Sequence, residues 1–183
     1  MYKRQDHEFV IRVDKKYSEL VYQLTADGKG ITELQLEKSL MENRRLGAQA
    51  ENVVVEFEKQ RLKELGKMAQ AELVKRISTV DVSAGYDVES FDGITDEIFP
   101  NRFIEVKATQ GNEIRFYWSN NEMRVAKKKK DTYWIYMLVN FKEDKPQESI
   151  PIIIQNPEHC IKKNNCLIMK AHTFLISEID ESN

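Results

Sequence analysis

The chain has two cysteines, Cys160 and Cys166, in 183 residues. That is too few for a disulfide framework, and they match no recognisable zinc motif. Its three histidines, His7, His159 and His172, lack the spacing of a compact helical metal pair. No uninterrupted apolar run approaches the ~20 residues of a membrane-spanning helix. The polar start of the chain carries no secretory hydrophobic segment. No membrane role is expected, and cytoplasmic solubility is the simplest expectation. An excess of one charge is missing too: 28 Lys and Arg face 30 Asp and Glu, a net charge of -2. No global positive field announces nucleic acid, although a locally basic face beneath a neutral total stays open.

What is present is ordinary soluble composition, 41% hydrophobic and 32% charged, in a length that favours one domain with a small appendage. Residues 1–45 read as a helical cap or partner-binding extension, and residues 46–183 as the main domain. Tyr17, Leu20, Val21 and Leu24 have helical spacing, and Ala26 to Gly30 punctuates the chain. A second helix over Ile31–Met41 would present Leu34, Leu36 and Leu40. A longer helix over Ala48–Gly66 would turn Ala50, Val53, Val54, Phe57, Leu62 and Leu65 inward, with Glu58, Lys59 and Lys63 meeting water. Ala69–Ile77 continues as helix after a break at Gly66 or forms a second helix.

From Val80 onward the pattern changes to strands, near Tyr86–Phe91, Arg102–Thr109, Ile114–Trp118, Tyr133–Val139 and Ile152–Ile154. A helix over Ser119–Lys130 separates two of them, and Ser119 with Glu122 three positions later forms a capping-box signature. Phe174–Ile179 fits either an edge strand or a short helix. The order predicts an α/β fold, a mixed sheet flanked by helices.

Chemistry concentrates between Gly85 and Lys107. In an extended Arg102–Thr109 segment, Phe103, Glu105, Lys107 and Thr109 share one face, while Ile104, Val106 and Ala108 share the other. Asp87 and Glu89 share a face across Val88. Asp and Glu oxygens suit hard Mg2+ or Mn2+, and such an ion activates water and polarises a phosphate. Lys107 would orient that water or offset charge on the phosphate. A solvent-facing ion pair on two strands is the alternative, since Glu-x-Lys alone is common.

Several motifs together resemble a known family. Leu46-Gly47 through Ala50-Glu51, Gly85 through Asp92, Phe103-Ile-Glu-Val-Lys107, Trp118-Ser-Asn-Asn-Glu122 and the Tyr133–Val139 strand are similar to the domain at the carboxyl end of the plant NO VEIN protein and its microbial relatives. The likeness spans about residues 45–157. That domain in turn is similar to the restriction-endonuclease-like nucleases, which implies a sheet of that type and a Mg2+- or Mn2+-dependent nuclease. The resemblance makes Asp87 the central metal ligand, Glu105 its partner and Lys107 the active-site lysine. It makes Glu51 the carboxylate of the first core helix, and adds the Val106 carbonyl as a metal ligand. An exposed helix glutamate needs no such purpose, so both roles for Glu51 stay open.

Around this centre the assignments are looser. Gly85 marks a tight approach or an ordinary turn, and Glu89 extends the acidic cluster or meets solvent. Tyr117, Asn120, Arg124, Lys127 and Lys129 are candidate nucleic-acid contacts. Against that, Asn120 and Glu122 suit helix initiation, Tyr117 and Trp118 suit a core, and Lys127–Lys130 suits a solvated helix end. Lys162 and Lys163 extend the basic surface or decorate a loop. The expected function is metal-dependent phosphodiester hydrolysis of nucleic acid, with DNA as the expected partner and defence against foreign DNA implied by the resemblance. An inactive nucleic-acid-binding or protein-assembly module on the same scaffold is the alternative. A protein partner or a homodimer stays open.

Overall fold

The computed structural model describes residue 30 and residues 32–162. The expected leader helix at Tyr17–Leu24, the Phe174–Ile179 segment, Cys166 and Lys163 lie outside the described residues. Helix α1 (Glu33–Glu64) starts at Thr32, whose hydroxyl accepts from the Gln35 N–H while the Gln35 side chain accepts from the Thr32 N–H. This capping box satisfies two orphan donors reciprocally. Two helices were expected over this span, and one of 32 residues forms. Between Met41 and Ala48 the weak helix formers are Asn43 and Gly47; the glycine costs about 1 kcal/mol and cannot stop a helix as proline would. The helix therefore runs on through residues 45 and 46.

Gly66 ends it, with a φ of 74°. Its N–H donates to the Lys63 carbonyl and the Lys67 N–H to the Leu62 carbonyl, the paired bonds of a Schellman turn. Helix α2 (Met68–Leu73) follows but stops short of the expected Ile77. The chain instead becomes strand β1 (Lys75–Arg76), antiparallel to β2 (Val88–Ser90) in the register Arg76↔Val88. Burial of Val74 and Ile77 holds this short strand down.

β2 pairs antiparallel with β3 (Arg102–Ala108), β3 parallel with β4 (Tyr133–Leu138), and β4 antiparallel with β5 (Ile152–Gln155). The five strands lie in the order of their sequence. A parallel neighbour demands a crossover, and helix α3 (Asn120–Lys129) lies in it. The expected strand at Ile114–Trp118 does not form. Both edges of β3 are taken, so the segment following it has no adjacent ladder to join. Helix α4 (Pro157–Lys162) ends the described chain.

The alternation along β3 separates two cores as its sequence implies. Ile104, Val106 and Ala108 pack toward Ala50, Val54 and Leu62 of α1. Phe103 packs with Val125 and Ala126 of α3, Tyr133 and Ile135. The protein is an α/β structure with helices on both faces of a mixed sheet. Among the described residues, no helix is long and apolar enough to cross a membrane.

Two positions of α1 reverse the expected pattern. Leu65 is exposed, while Glu58, expected in water, is completely buried. Its carboxylate accepts from Arg61 Nε (2.9 Å) and Nη2 (2.7 Å), from the Ser90 hydroxyl (2.6 Å) and from the Tyr136 hydroxyl (2.7 Å). Arg61 also donates to the Phe91 and Asp92 carbonyls. Arg102 donates to the Tyr136 hydroxyl at 2.7 Å. One carboxylate thus ties α1 to β2 and β4, which a side chain with four lone-pair sites can do when each is filled.

Burial pushes the Glu58 carboxyl up, but the bond and charge of Arg61, the Ser90 hydroxyl and the charge of Arg102 outweigh it, leaving it below its ordinary value of 4.5. A depressed carboxyl stabilises the fold above that ordinary value and loses its contribution as pH falls through the folded value. Glu58→Ala, which strands Arg61, is expected to lower the unfolding free energy by about 3–5 kcal/mol near neutral pH in urea titrations. The deficit of Glu58→Gln should shrink on acidification below 4.5.

Candidate functional site

The site forms where β2 and β3 part. The β2–β3 register pairs Val88 with Ile104, so Asp87 stands opposite Glu105 one step beyond the ladder. The Asp87 N–H donates to the Ile104 carbonyl (2.8 Å), and its carboxylate accepts from the Val106 N–H (2.8 Å). In an extended strand the N–H and C=O of a residue point to the same edge. The Val106 carbonyl therefore faces the edge that Asp87 occupies.

On the neighbouring face, Lys107 Nζ donates to Glu105 Oε1 at 2.7 Å and to Glu122 Oε2 at 3.0 Å. Glu122 sits in the first turn of α3, in a capping box with Ser119. Gly85 lets α3 approach: at a φ of 75°, a Cβ there would lie 2.7 Å from Val125 Cγ2. On the other flank, Glu51 of α1 accepts from Arg76 Nε and from the Ser78 hydroxyl.

Electrostatics bind these groups into one unit. Burial, then the charge of Glu51, push the Asp87 carboxyl up to about 6 against the Val106 N–H and Lys107. Burial pushes Glu105 up to about 8; Lys107 opposes this while Asp87 and Glu122 add to it. Such a pair titrates jointly. Lys107 is mostly buried, which lowers it, yet Glu105 and Glu122 hold its ammonium well above the ordinary lysine value. It is therefore a fixed positive charge near neutral pH, unsuited to act as a base. Glu122 is held below its ordinary value: burial raises it, and Lys107 and the Ser119 N–H overcome that.

Among the described residues, no group of three or more His, Cys, Asp or Glu side chains is disposed to hold a metal ion. Mg2+ asks for less, since it is held by one or two carboxylates together with water and substrate phosphate. Asp87 and Glu105, with the Val106 carbonyl beside them, offer oxygen donors of that kind. Fully ionised, the four carboxylates of Glu51, Asp87, Glu105 and Glu122 exceed the two cations of Arg76 and Lys107 by the charge of one divalent ion. The residues fit such a cation.

The remaining sequence candidates divide. Asn120, Arg124 and Lys127 lie exposed on α3, with Arg124 donating to Asn121 Oδ1 at 2.7 Å. Tyr117 is half-buried. Lys129 turns inward, its ammonium 3.0 Å from the Phe103 ring centre and 5.3 Å from that of Tyr86. Glu89 accepts from the Tyr86 hydroxyl at 2.7 Å. Arg76 and Ser78 carried no site signal in the sequence, where they fell in or beside a supposed helix. For Glu122 the capping box was legible, but its grip on Lys107 was not.

The chain is thus an α/β protein whose mixed sheet carries an acidic pair and a clamped lysine at the parting of two strands. Within that class, the chain matches the family described as Protein NO VEIN, C-terminal, over residues 50–152. It belongs to that family, and the matched span contains Glu51, Asp87, Glu105, Lys107 and Glu122. No curated protein and no solved structure matches it.

Raised carboxyls destabilise the fold wherever they are forced to ionise. In a chelator, Asp87→Asn is expected to melt above wild type at about pH 8, with the gap closing toward about pH 4, where the wild-type carboxyl is protonated. A wild type that melts higher at about pH 8 would contradict this.

Proposed function

We propose that this domain hydrolyses phosphodiester bonds in nucleic acid with Mg2+ or Mn2+, DNA being the first substrate to test. The observation that carries the reading is the meeting of Asp87, Glu105 and the charged Lys107 at one strand parting. A bound divalent ion would supply neutralisation of the phosphate and acidification of water. Asp87 and Glu105 would hold it, with the Val106 carbonyl alongside. Lys107 would place a fixed positive charge against the charge that builds on the phosphoryl oxygens in the transition state. Glu51, bonded to Arg76 and Ser78, adds negative potential at Asp87. The likeness of the family to restriction-endonuclease-like nucleases supports DNA over RNA and a role in defence against foreign DNA.

A binding module on the same scaffold is favoured by one observation, the lack of a three-carboxylate metal group among the described residues. The exposed Arg124 and Lys127 would then meet phosphates, with affinity that falls as salt rises.

Cleavage of single- and double-stranded DNA and RNA, with and without Mn2+, separates the two. The expected result is metal-dependent cutting that Asp87→Ala abolishes and Lys107→Ala lowers by about 10²-fold or more. Mn2+ should also raise the melting temperature of wild type but not of Asp87→Ala. Binding that survives chelation, weakens in Lys127→Ala and comes with no cutting in any arm would favour the binding module.

A further inference from the structure

We propose that Glu122 is the positioning residue that aims the Lys107 ammonium, making the first turn of α3 part of the reactive centre; this rests on the phosphodiesterase reading of the site. The starting point is a comparison of the two capping boxes in the fold. In α1 the third helical position is Gln35, and its neutral carbonyl oxygen accepts from the Thr32 N–H at 2.8 Å. In α3 the same position is Glu122, and its Oε2 accepts from the Ser119 N–H at 3.0 Å. Capping therefore needs an acceptor there but no charge.

The charge has another use. The same Oε2 of Glu122 accepts from Lys107 Nζ at 3.0 Å, and the side chains of both residues are mostly buried, 15% and 16% exposed. A lysine is a point charge on a flexible four-carbon stem, so one partner leaves its direction loose. Its other partner here is Glu105, at 2.7 Å. Glu105 is also one of the two carboxylates offered to a cation. Once Glu105 is turned to that task its hold on Lys107 weakens, and Glu122 remains as the anion that keeps the ammonium in place. Glu122 is itself held by the cap, because its Oε2 accepts from the backbone N–H of Ser119, a bond that does not need the Ser119 side chain.

Three variants test the assignment. Glu122→Gln keeps the acceptor that the cap needs and removes the charge; it should melt somewhat below wild type, because Lys107 loses one of its two anionic partners, and lose kcat with KM unchanged. Glu122→Ala should lose about 10²-fold in kcat, the scale of a misplaced reactive group. Ser119→Ala breaks the hydroxyl half of the cap and should melt lower while retaining kcat. A wild-type kcat in Glu122→Gln, or equal losses in all three variants, would overturn the assignment. Should wild type itself cut nothing, the phosphodiesterase reading fails, and the positioning of Lys107 is decided by NMR. Hydrogen bonding shields the Lys107 ammonium protons from exchange. Their 1H–15N signal is expected to be sharp in wild type and Ser119→Ala and broadened by faster exchange in Glu122→Ala, which keeps the Glu105 bond but loses the Glu122 one, and the same signal in all three would overturn it.

Discussion

The fold depends on a carboxylate that has left water. Glu58 is a liability alone, because burying a charge costs several kcal/mol before any partner is found. Arg61, Ser90 and Tyr136 fill its acceptor positions, and those partners come from α1, β2 and β4. The network therefore forms when the helix is seated on the sheet in one rotation and one register. Residues seven apart lie on the same side of a helix, so seating Glu58 also directs Glu51 toward the strand parting where Asp87 sits. Glu58 and the carboxylate that borders the strand parting, Glu51, are two turns apart on a single helix.

The α1 network and the strand parting have opposite electrostatic characters. Glu58 is buried among guanidinium and hydroxyl donors, which hold it ionised below its ordinary value. Glu105 is buried and Asp87 half-buried near other carboxylates, with fewer donors, so both are driven upward. The first arrangement stabilises the protein as it stands. The second stores an unfavourable charge that a divalent cation would relieve, which is why the strand parting rather than the α1 network is the place to look for chemistry. Lys107 belongs with this second group: flanked by two glutamates, it carries its charge near neutral pH.

Local chemistry made much of the architecture legible. The alternation from Arg102 to Thr109 assigned Glu105 and Lys107 to one face and Ile104 and Val106 to the other, and the two cores follow that division. Ser119 and Glu122 marked the start of α3, and Gly66 the end of α1. The failures have the same physical origin. Between Met41 and Ala48 a polar stretch resembled a break because hydrophobic spacing lapsed, although no residue there is able to stop a helix. Ile114–Trp118 has strand-forming residues but no open ladder beside it. Arg76 was assigned to a helix because β1 is stabilised by its pairing with β2, not by its own two residues.

By itself the sequence determined periodicities, caps and turns, because these depend on residues within a few positions of one another. It therefore determined which side chains could share a face, including Glu105 with Lys107. The tertiary structure alone decided which polar groups lost their water and what replaced it. Burial of Glu58, capture of Arg76 by Glu51 and closure of Glu122 onto Lys107 each join residues from separate elements. Their energies depend on desolvation and on distances set by sheet register and helix seating, and no local pattern of residue types encodes those.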